Sequence, residues 1–250
     1  MAEYIEGKRA VIEALRSGVP LRNVLLSDNV QHDGLIKDIL RKAKQRDISV
    51  REISRKRMDS ISERGSHQGV MAEAKPYSYV SGGEILAAAS THAEEVGNAL
   101  IVVCDHITDA GNLGAIARSA ESVGASGLVI PNKRSAHVSA ATYKSSAGAV
   151  SHIPIAQVAN ISNFIERAKE DGFWAIAATE HADCILWDAD LKGRIVLVMG
   201  SEHDGVSRLV LETCDIAAAL PQEGCVASLN VAQASTVFMY EWLRQNVQNA

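Results

Sequence analysis

The stretch Leu100-Ile-Val-Val-Cys104-Asp-His-Ile-Thr-Asp-Ala-Gly-Asn112-Leu-Gly-Ala-Ile-Ala-Arg118-Ser-Ala-Glu-Ser-Val123 decides how this chain is read. Its first five residues are a continuous apolar run with no alternation, which suits a strand buried on both faces, as parallel sheets require. Its end repeats apolar side chains at helical spacing, so a helix is predicted over 113–123. A strand that feeds a helix through a glycine-containing loop is a building unit of α/β domains. Outward from it, similar short runs recur at 128–130, 153–156, 174–178, 195–199 and 216–220, and further helices are predicted over 140–147, 161–170 and 229–247. In the last of these, Val231, Ala234, Val237, Phe238, Trp242 and Leu243 are the expected buried positions. Residues 98–250 are therefore expected to form one α/β domain around a parallel sheet.

Upstream, residues 1–75 alternate helix and strand signals in shorter units. Val11, Ile12, Ala14 and Leu15 mark one face of a helix that must stop before Pro20, and Asn23-Val-Leu-Leu26 reads as a strand. Leu35, Ile36, Ile39, Leu40 and Ala43 mark a second helix; Ile48-Ser-Val-Arg-Glu-Ile53 alternates as a strand, and a short helix leads to a last strand at 70–74. This is a small α/β domain. The segment Pro76-Tyr-Ser-Tyr-Val-Ser-Gly-Gly83 punctuates the chain, and with a helix from about residue 84 to 95 it makes 76–97 the expected linker.

A chain of 250 residues with 47% hydrophobic and 22% charged content is long enough to bury a core without disulfides or metal. Cys104, Cys184, Cys214 and Cys225 form no Cys-x-x-Cys pair, and the eight histidines show no ligand spacing, so no metal is expected. No apolar run approaches the length of a membrane span, and the start of the chain lacks the layout of a signal peptide, so a cytoplasmic protein is expected. The net charge of −5 alone disfavours a nucleic-acid partner, but it is unevenly spread. Residues 1–75 hold 15 Lys and Arg against 11 Asp and Glu, while 76–250 hold 10 against 19. Between 41 and 64, nine basic residues face four acidic ones, which makes either a phosphate-contacting face or a solvated charged surface.

Three segments combine glycine, amide and charge at strand ends, where open α/β sheets place their ligands: 105–124, 199–208 and 219–232. In the first, Asn112 and Arg118 are either a helix cap and a surface ion-pair partner or two groups that meet at a common ligand. In the second, Gly200-Ser-Glu-His-Asp-Gly205 has glycine at both edges, Glu202 is able to orient a hydroxyl, and Ser207 precedes a helix. In the third, Ser228 and Asn230 lie near the start of the closing helix. No Gly-x-Gly-x-x-Gly, Walker-type or Gly-x-Ser-x-Gly motif is present, which leaves dinucleotide, triphosphate and serine-nucleophile chemistry without support.

Taken together, Asn112-Leu-Gly-Ala-Ile-Ala-Arg118, Val198-Met-Gly-Ser-Glu-His-Asp-Gly205 and Leu220-Pro with Ser228-Leu-Asn-Val-Ala232 resemble the three motifs of the SpoU family in the SPOUT superfamily. Ala110, His203 and Gln222 stand where the family often has proline, glycine and methionine. The N-terminal Ile5-Glu-Gly-Lys-Arg-Ala and Ser66-His-Gln-Gly69 resemble the small RNA-binding domain of its ribosomal members. The resemblance implies an α/β catalytic domain with a deep trefoil knot, working as a homodimer. It implies S-adenosylmethionine as cofactor, held by Gly200, Leu220 and Leu229 with Thr179, Pro221 and Ser228 nearby. It implies Arg118 as the catalytic residue, oriented with the ribose by Asn112, Glu202 and Asn230. RNA would be met by Arg41, Lys42, Arg55, Lys56, Arg57 and His67. The implied reaction is 2′-O-methylation of a ribose, a guanosine of 23S ribosomal RNA in the first instance. Transfer RNA as substrate and a non-catalytic RNA-binding assembly factor are the alternatives, with a small-molecule nucleotide enzyme further off.

Overall fold

The computed structural model describes residues 3–62, 65–201, 204–225 and 228–247. The chain divides into two compact units, 1–78 and 79–250. In the first, β1 (Glu3–Glu6), β2 (Leu21–Ser27), β3 (Ser49–Ile53) and β4 (Val70–Ala74) form a mixed sheet in the order β1-β4-β2-β3. Strand β4 runs antiparallel to β1 and β2, and β3 runs parallel to β2. Helix α1 (Lys8–Arg16) buries Val11, Ile12, Ala14 and Leu15, the four positions its spacing predicts. Helix α2 (Gly34–Gln45) buries Ile36, Ile39 and Ala43 but leaves Leu35 and Leu40 half-buried, and α3 (Arg55–Ile61) buries Met58.

Charged side chains of this unit are committed to the fold, among them Asp33, Lys8 and Arg46. Asp33 accepts from the Ile36 backbone N–H to cap α2, and the Lys8 ammonium at 2.7 Å holds its carboxyl below the usual carboxylate range. Arg46 donates to the carbonyls of Leu15, Gly18 and Val19 at 3.0–3.1 Å, satisfying one carbonyl in the last turn of α1 and two in the loop that follows it. Strand β1 lies outside the sequence expectation: two of its four residues are glutamates, and pairing with β4 rather than any pattern of its own makes it a strand.

In the second unit, β5 (Ala99–Cys104), β6 (Gly127–Pro131), β7 (Ile155–Val158), β8 (Trp174–Ala178), β9 (Cys184–Ile185), β10 (Arg194–Met199) and β11 (Ile216–Ala219) form a sheet in the order β7-β6-β5-β10-β8-β11-β9. Every pairing in it is parallel. Its helices are α4 (Gly82–Val96), α5 (Ala110–Ser122), α6 (Ala140–Ser145), α7 (Ile161–Glu170), α8 (Arg208–Thr213) and α9 (Val231–Asn246). Helix α4 opens with a capping box between Ser81 and Glu84 and buries Ile85, Leu86, Ala89 and Ala93. These pack with Phe164 and Ile165 of α7 and with Ile101, Val103, Val196 and Val198 of the sheet. At roughly 1.5–3 kcal/mol for each large apolar side chain taken fully out of water, this layer is the main favourable contribution to the unit. Helix α4, expected in the linker, thus belongs to the core of the second unit.

Two boundaries and one buried face differ from expectation. Strand β7 begins at Ile155 rather than residue 153, because Pro154 has no N–H for the ladder and offers only its carbonyl, to Leu128. Helix α5 begins at Ala110, capped by Asp109, so Asn112 sits within its first turn and is not the cap. Helix α9 buries Ser235, Met239 and Glu241 beside Phe238 and Trp242, whereas Ala234, Val237 and Leu243 are half-exposed.

The strand order sets the position of any ligand. From β5 the chain moves outward to β6 and β7. It later returns to place β10 between β5 and β8, and then continues to β11 on the other flank. The loops that leave the C-terminal ends of β5 and β10 therefore diverge, which is the geometry of a topological switch point.

Candidate active site

At the C-terminal ends of β8, β10 and β11 lies a cavity of about 540 Å³. That is within the usual range for a small-molecule site. Of the residues expected to hold a cofactor, Thr179, Gly200, Leu220, Ser228 and Leu229 line it; Pro221 is exposed and stands outside the lining. Apolar Leu211 and Phe238 and polar Ser201 and Asp204 complete much of the wall, and Glu180 and His181 stand at the end of β8.

The wall from β10 is a loop folded back on itself. Ser201 and Gly205 exchange two backbone hydrogen bonds of 3.0 Å, and Gly205 has a φ of +65°, in the left-handed region. A Cβ on Gly200 would overlap the backbone of Gly205 and Val206, so this turn tolerates only glycine there. The loop is fastened from β5. Asp105 is fully buried; its backbone N–H donates to the Met199 carbonyl at 2.8 Å, and its Oδ2 accepts from the Ser207 N–H at 2.7 Å. Its Oδ1 pairs with His106 Nδ1. Asp105 was not anticipated as a site residue, although its place at a strand end was a usable signal. Glu180 and His181 were not singled out for a different reason: the loop after β8 holds no glycine to draw attention to it.

Helix α9 brings the first and third segments together. Asn230 caps it by accepting from the Ala232 N–H at 2.9 Å, and its Nδ2 donates to Asn112 Oδ1 at 3.0 Å, joining residues 118 apart in sequence. Ser119 and Thr236 hydroxyls meet at 2.7 Å farther along the same pair of helices. Arg118 lies six residues beyond Asn112 on α5, about 9 Å along the axis. It is exposed. Lys and Arg ion pairs in this unit join Lys169 to Asp215, Arg208 to Glu212 and Arg244 to Glu241; among the described residues Arg118 enters none. The alternative of a surface ion-pair partner thus finds no described acid to pair with. Glu202, the fourth expected member, lies outside the described residues.

Of the expected RNA contacts, Arg41 on α2 and Arg55, Lys56 and Arg57 on α3 are exposed, and Lys42 is half-buried. Arg41 also pairs with Asp38 at 2.8 Å, both solvent-facing. His67 differs. It is 5% exposed, its Nδ1 accepts from the Gly69 N–H at 3.0 Å and its Nε2 lies 2.8 Å from Asp59. Both ring nitrogens are occupied in holding the turn before β4, which leaves the ring a supporting rather than a contacting part. Cys104 is buried, and desolvation pushes its thiol up to about 12, so it packs as a small apolar side chain. No group suited to a metal ion occurs among the described residues, and no helix in them is long and apolar enough to cross a membrane.

Comparison with known proteins bears on this arrangement. The model of the SpoU rRNA Methylase family matches residues 99–240, and that for RNA 2′-O ribose methyltransferase substrate binding matches residues 4–80. The putative TrmH family tRNA/rRNA methyltransferase YacO of Bacillus subtilis (strain 168) is 35% identical over 243 residues, which cover 97% of this chain and 96% of that one. An rRNA methyltransferase structure from Sinorhizobium meliloti aligns over 99% of this chain and 88% of its own with a TM-score of 0.66 and 26% identity. The SpoU methyltransferase AviRb from Streptomyces viridochromogenes, in complex with AdoMet, shares the fold at a TM-score of 0.67 and 23% identity, over 98% and 90% of the two chains.

Proposed function

The chain belongs to the SpoU rRNA methylase family of RNA 2′-O-ribose methyltransferases, and from that premise we propose that it methylates a guanosine ribose of 23S ribosomal RNA as a cytoplasmic homodimer. S-adenosylmethionine, the methyl donor of this chemistry, supplies an activated methyl group on a sulfonium. The cavity fits such a group: its mixed wall offers Leu220, Leu229 and Phe238 to an adenosine face and Thr179, Ser201 and Ser228 to polar atoms. In this reading backbone groups of Gly200, Leu220 and Leu229 hold the adenine and amino-acid parts of the cofactor, with Thr179 and Ser228 nearby.

The observation that carries the proposal is the Asn112–Asn230 hydrogen bond. Asn230 lines the cavity, and Asn112 lies on the helix that presents Arg118. In-line transfer needs the 2′-oxygen placed against the methyl group and its proton removed as charge develops. Asn112 and Asn230 fix the helices that set this placement, with Glu202 as the proposed third orienting group. The Arg118 guanidinium holds its proton under all ordinary conditions and is therefore a poor general base. Its part is to stabilise the developing alkoxide, or to share its proton with a substrate phosphate.

Residues 1–75 are proposed to hold the RNA through Arg41, Lys42, Arg55, Lys56 and Arg57, and the catalytic domain is proposed to include helix α4 along with 98–250. A trefoil knot is part of the proposal. It is supported by the insertion of β10 between β5 and β8 and by the return of α9 onto α5. Trp187 and Tyr240, about half exposed beside Val237 on the outer face of α9, support a homodimer. A transfer RNA ribose is the second reading, favoured by the tRNA/rRNA description that the B. subtilis relative bears. Incubation with labelled S-adenosylmethionine and unmodified 23S ribosomal RNA or bulk transfer RNA separates the two. Label confined to transfer RNA would overturn the ribosomal assignment, and label in neither would overturn the activity.

A further inference from the structure

We infer that the catalytic unit grips the RNA backbone itself, through a basic surface formed by Lys133, Arg134 and Lys144 beside the first turn of α5. The inference rests on the RNA-methylating reading of the site. It adds to that reading a phosphate-binding surface outside the N-terminal unit.

The first observation is one of charge. Residues 76–250 carry 19 acidic side chains, yet none falls between Glu121 and Glu166. That stretch of 44 residues contains Lys133, Arg134 and Lys144, together with His137 and His152. In a unit with a strong acidic excess, its surface is locally positive. Lys133, Arg134, His137 and Lys144 are all exposed, and none of the three Lys and Arg residues forms an ion pair among the described residues.

The second observation is that the segment is built. Pro131, Ala136 and Val138 are buried, and the Ala136 N–H donates to the Ile107 carbonyl at 2.7 Å. Ser135 Oγ reaches the same carbonyl at 3.1 Å, and the Val138 N–H donates to the Tyr79 hydroxyl oxygen at 2.8 Å. Arg134 is held at a φ of +54°, a left-handed conformation uncommon for arginine. Beyond it, Ser145 Oγ donates to the Ala110 carbonyl at 3.3 Å, and a Cβ on Gly114 would collide with Ser145 and Thr142. Lys144 is therefore carried by a helix packed directly on the turn that holds Asn112.

The third is position. Loops leaving β5, β6 and β10 emerge on the same edge of an all-parallel sheet. Strand β6 is two places from β10, roughly 10 Å at the usual strand spacing. A chain whose ribose lies over Asn112 and the cavity thus passes a built segment and helix α6, from which Lys133, Arg134 and Lys144 are exposed to meet its neighbouring phosphates. Phosphate contacts of this kind position a nucleic acid without reading its sequence.

The test uses the full chain with the triple variant Lys133→Gln, Arg134→Asn, Lys144→Gln; asparagine tolerates the left-handed backbone at 134. Affinity for unmodified 23S ribosomal RNA is measured against salt concentration, alongside the melting temperature with and without S-adenosylmethionine. Each lost phosphate contact removes about 0.7–0.9 from the slope of log affinity against log salt. The slope should fall by about 2, and affinity at 0.1 M salt by about 100-fold, while cofactor-induced stabilisation stays at the parent value. Lys144→Gln alone, an exposed change on a helix, gives the same readout at about a third of the size if the triple variant melts early. A parent slope retained by both variants would overturn the inference alone. A parent that shows no salt-dependent RNA binding would overturn it together with the reading of the site.

Discussion

Arg118 is where a surface cation and a catalytic group make different demands. A solvated ion pair is worth about 1 kcal/mol at most, and its loss would leave turnover intact. A guanidinium that meets a developing alkoxide or a phosphate uses a planar, two-pronged geometry that an ammonium lacks. Arg118→Lys should therefore fail nearly as badly as Arg118→Ala, with single-turnover methylation slowed by roughly 100-fold or more and cofactor affinity unchanged. A lysine variant that turns over near the parent rate removes Arg118 from the mechanism. Gly200 makes the complementary case for binding. Since a methyl group there would occupy the backbone of Gly205 and Val206, Gly200→Ala must open the turn. Saturating cofactor at 100 times its Kd stabilises a folded protein by about 2.7 kcal/mol. That stabilisation should be present in the parent and absent in Gly200→Ala, as read by thermal unfolding. At this scale the sequence was informative where a residue type had one use. Asn112 and Asn230 were legible as site residues through the family resemblance, but their direct bond was not, nor was Asp105 as the fastener of the loop, because both join residues more than 100 apart in sequence.

At the scale of elements, the end of α9 is held by a polar network. Glu241 is buried and accepts from Arg244 twice at 2.8 Å; Gln245 and Asn246 bind the backbone of Ala189, Leu191 and Gly193. Arg244, assisted by Gln245, holds the Glu241 carboxyl below its ordinary 4.5 against the opposing effect of burial. A depressed carboxylate stabilises the fold fully above its unfolded value and loses that contribution as pH falls through its folded value. Glu241→Gln should thus melt below the parent at pH 7, and the gap should close as pH is lowered beneath 4.5. A gap independent of pH would mean that Glu241 acts through packing alone. The same helix shows the limit of periodicity. Its buried face turns to include Ser235, Met239 and Glu241, because α5 and the 189–193 segment cover it where no apolar stripe calls for cover. The six long parallel strands were legible from their unbroken apolar runs; β1 and the two-residue β9 were not, since each owes its strand character to a neighbour.

For the molecule as a whole, charge and chemistry are divided between two units. If the basic N-terminal unit holds RNA, residues 79–250 alone should fold and bind S-adenosylmethionine. Their RNA affinity should show a shallower salt dependence than the full chain's, and the remaining slope should come largely from the surface around Lys133, Arg134 and Lys144. An unchanged slope would place the main contacts on the catalytic unit. The central claim is narrower: the group methylated is a ribose 2′-hydroxyl. Its most direct test is alkaline hydrolysis of RNA labelled by the purified protein with methyl-labelled S-adenosylmethionine. A 2′-O-methyl group removes the nucleophile that alkali needs to cleave the adjoining phosphodiester. The label should therefore appear in an alkali-resistant dinucleotide when the parent is used and be absent with Arg118→Lys. Label recovered in mononucleotides would place the methyl group on a base and contradict the account.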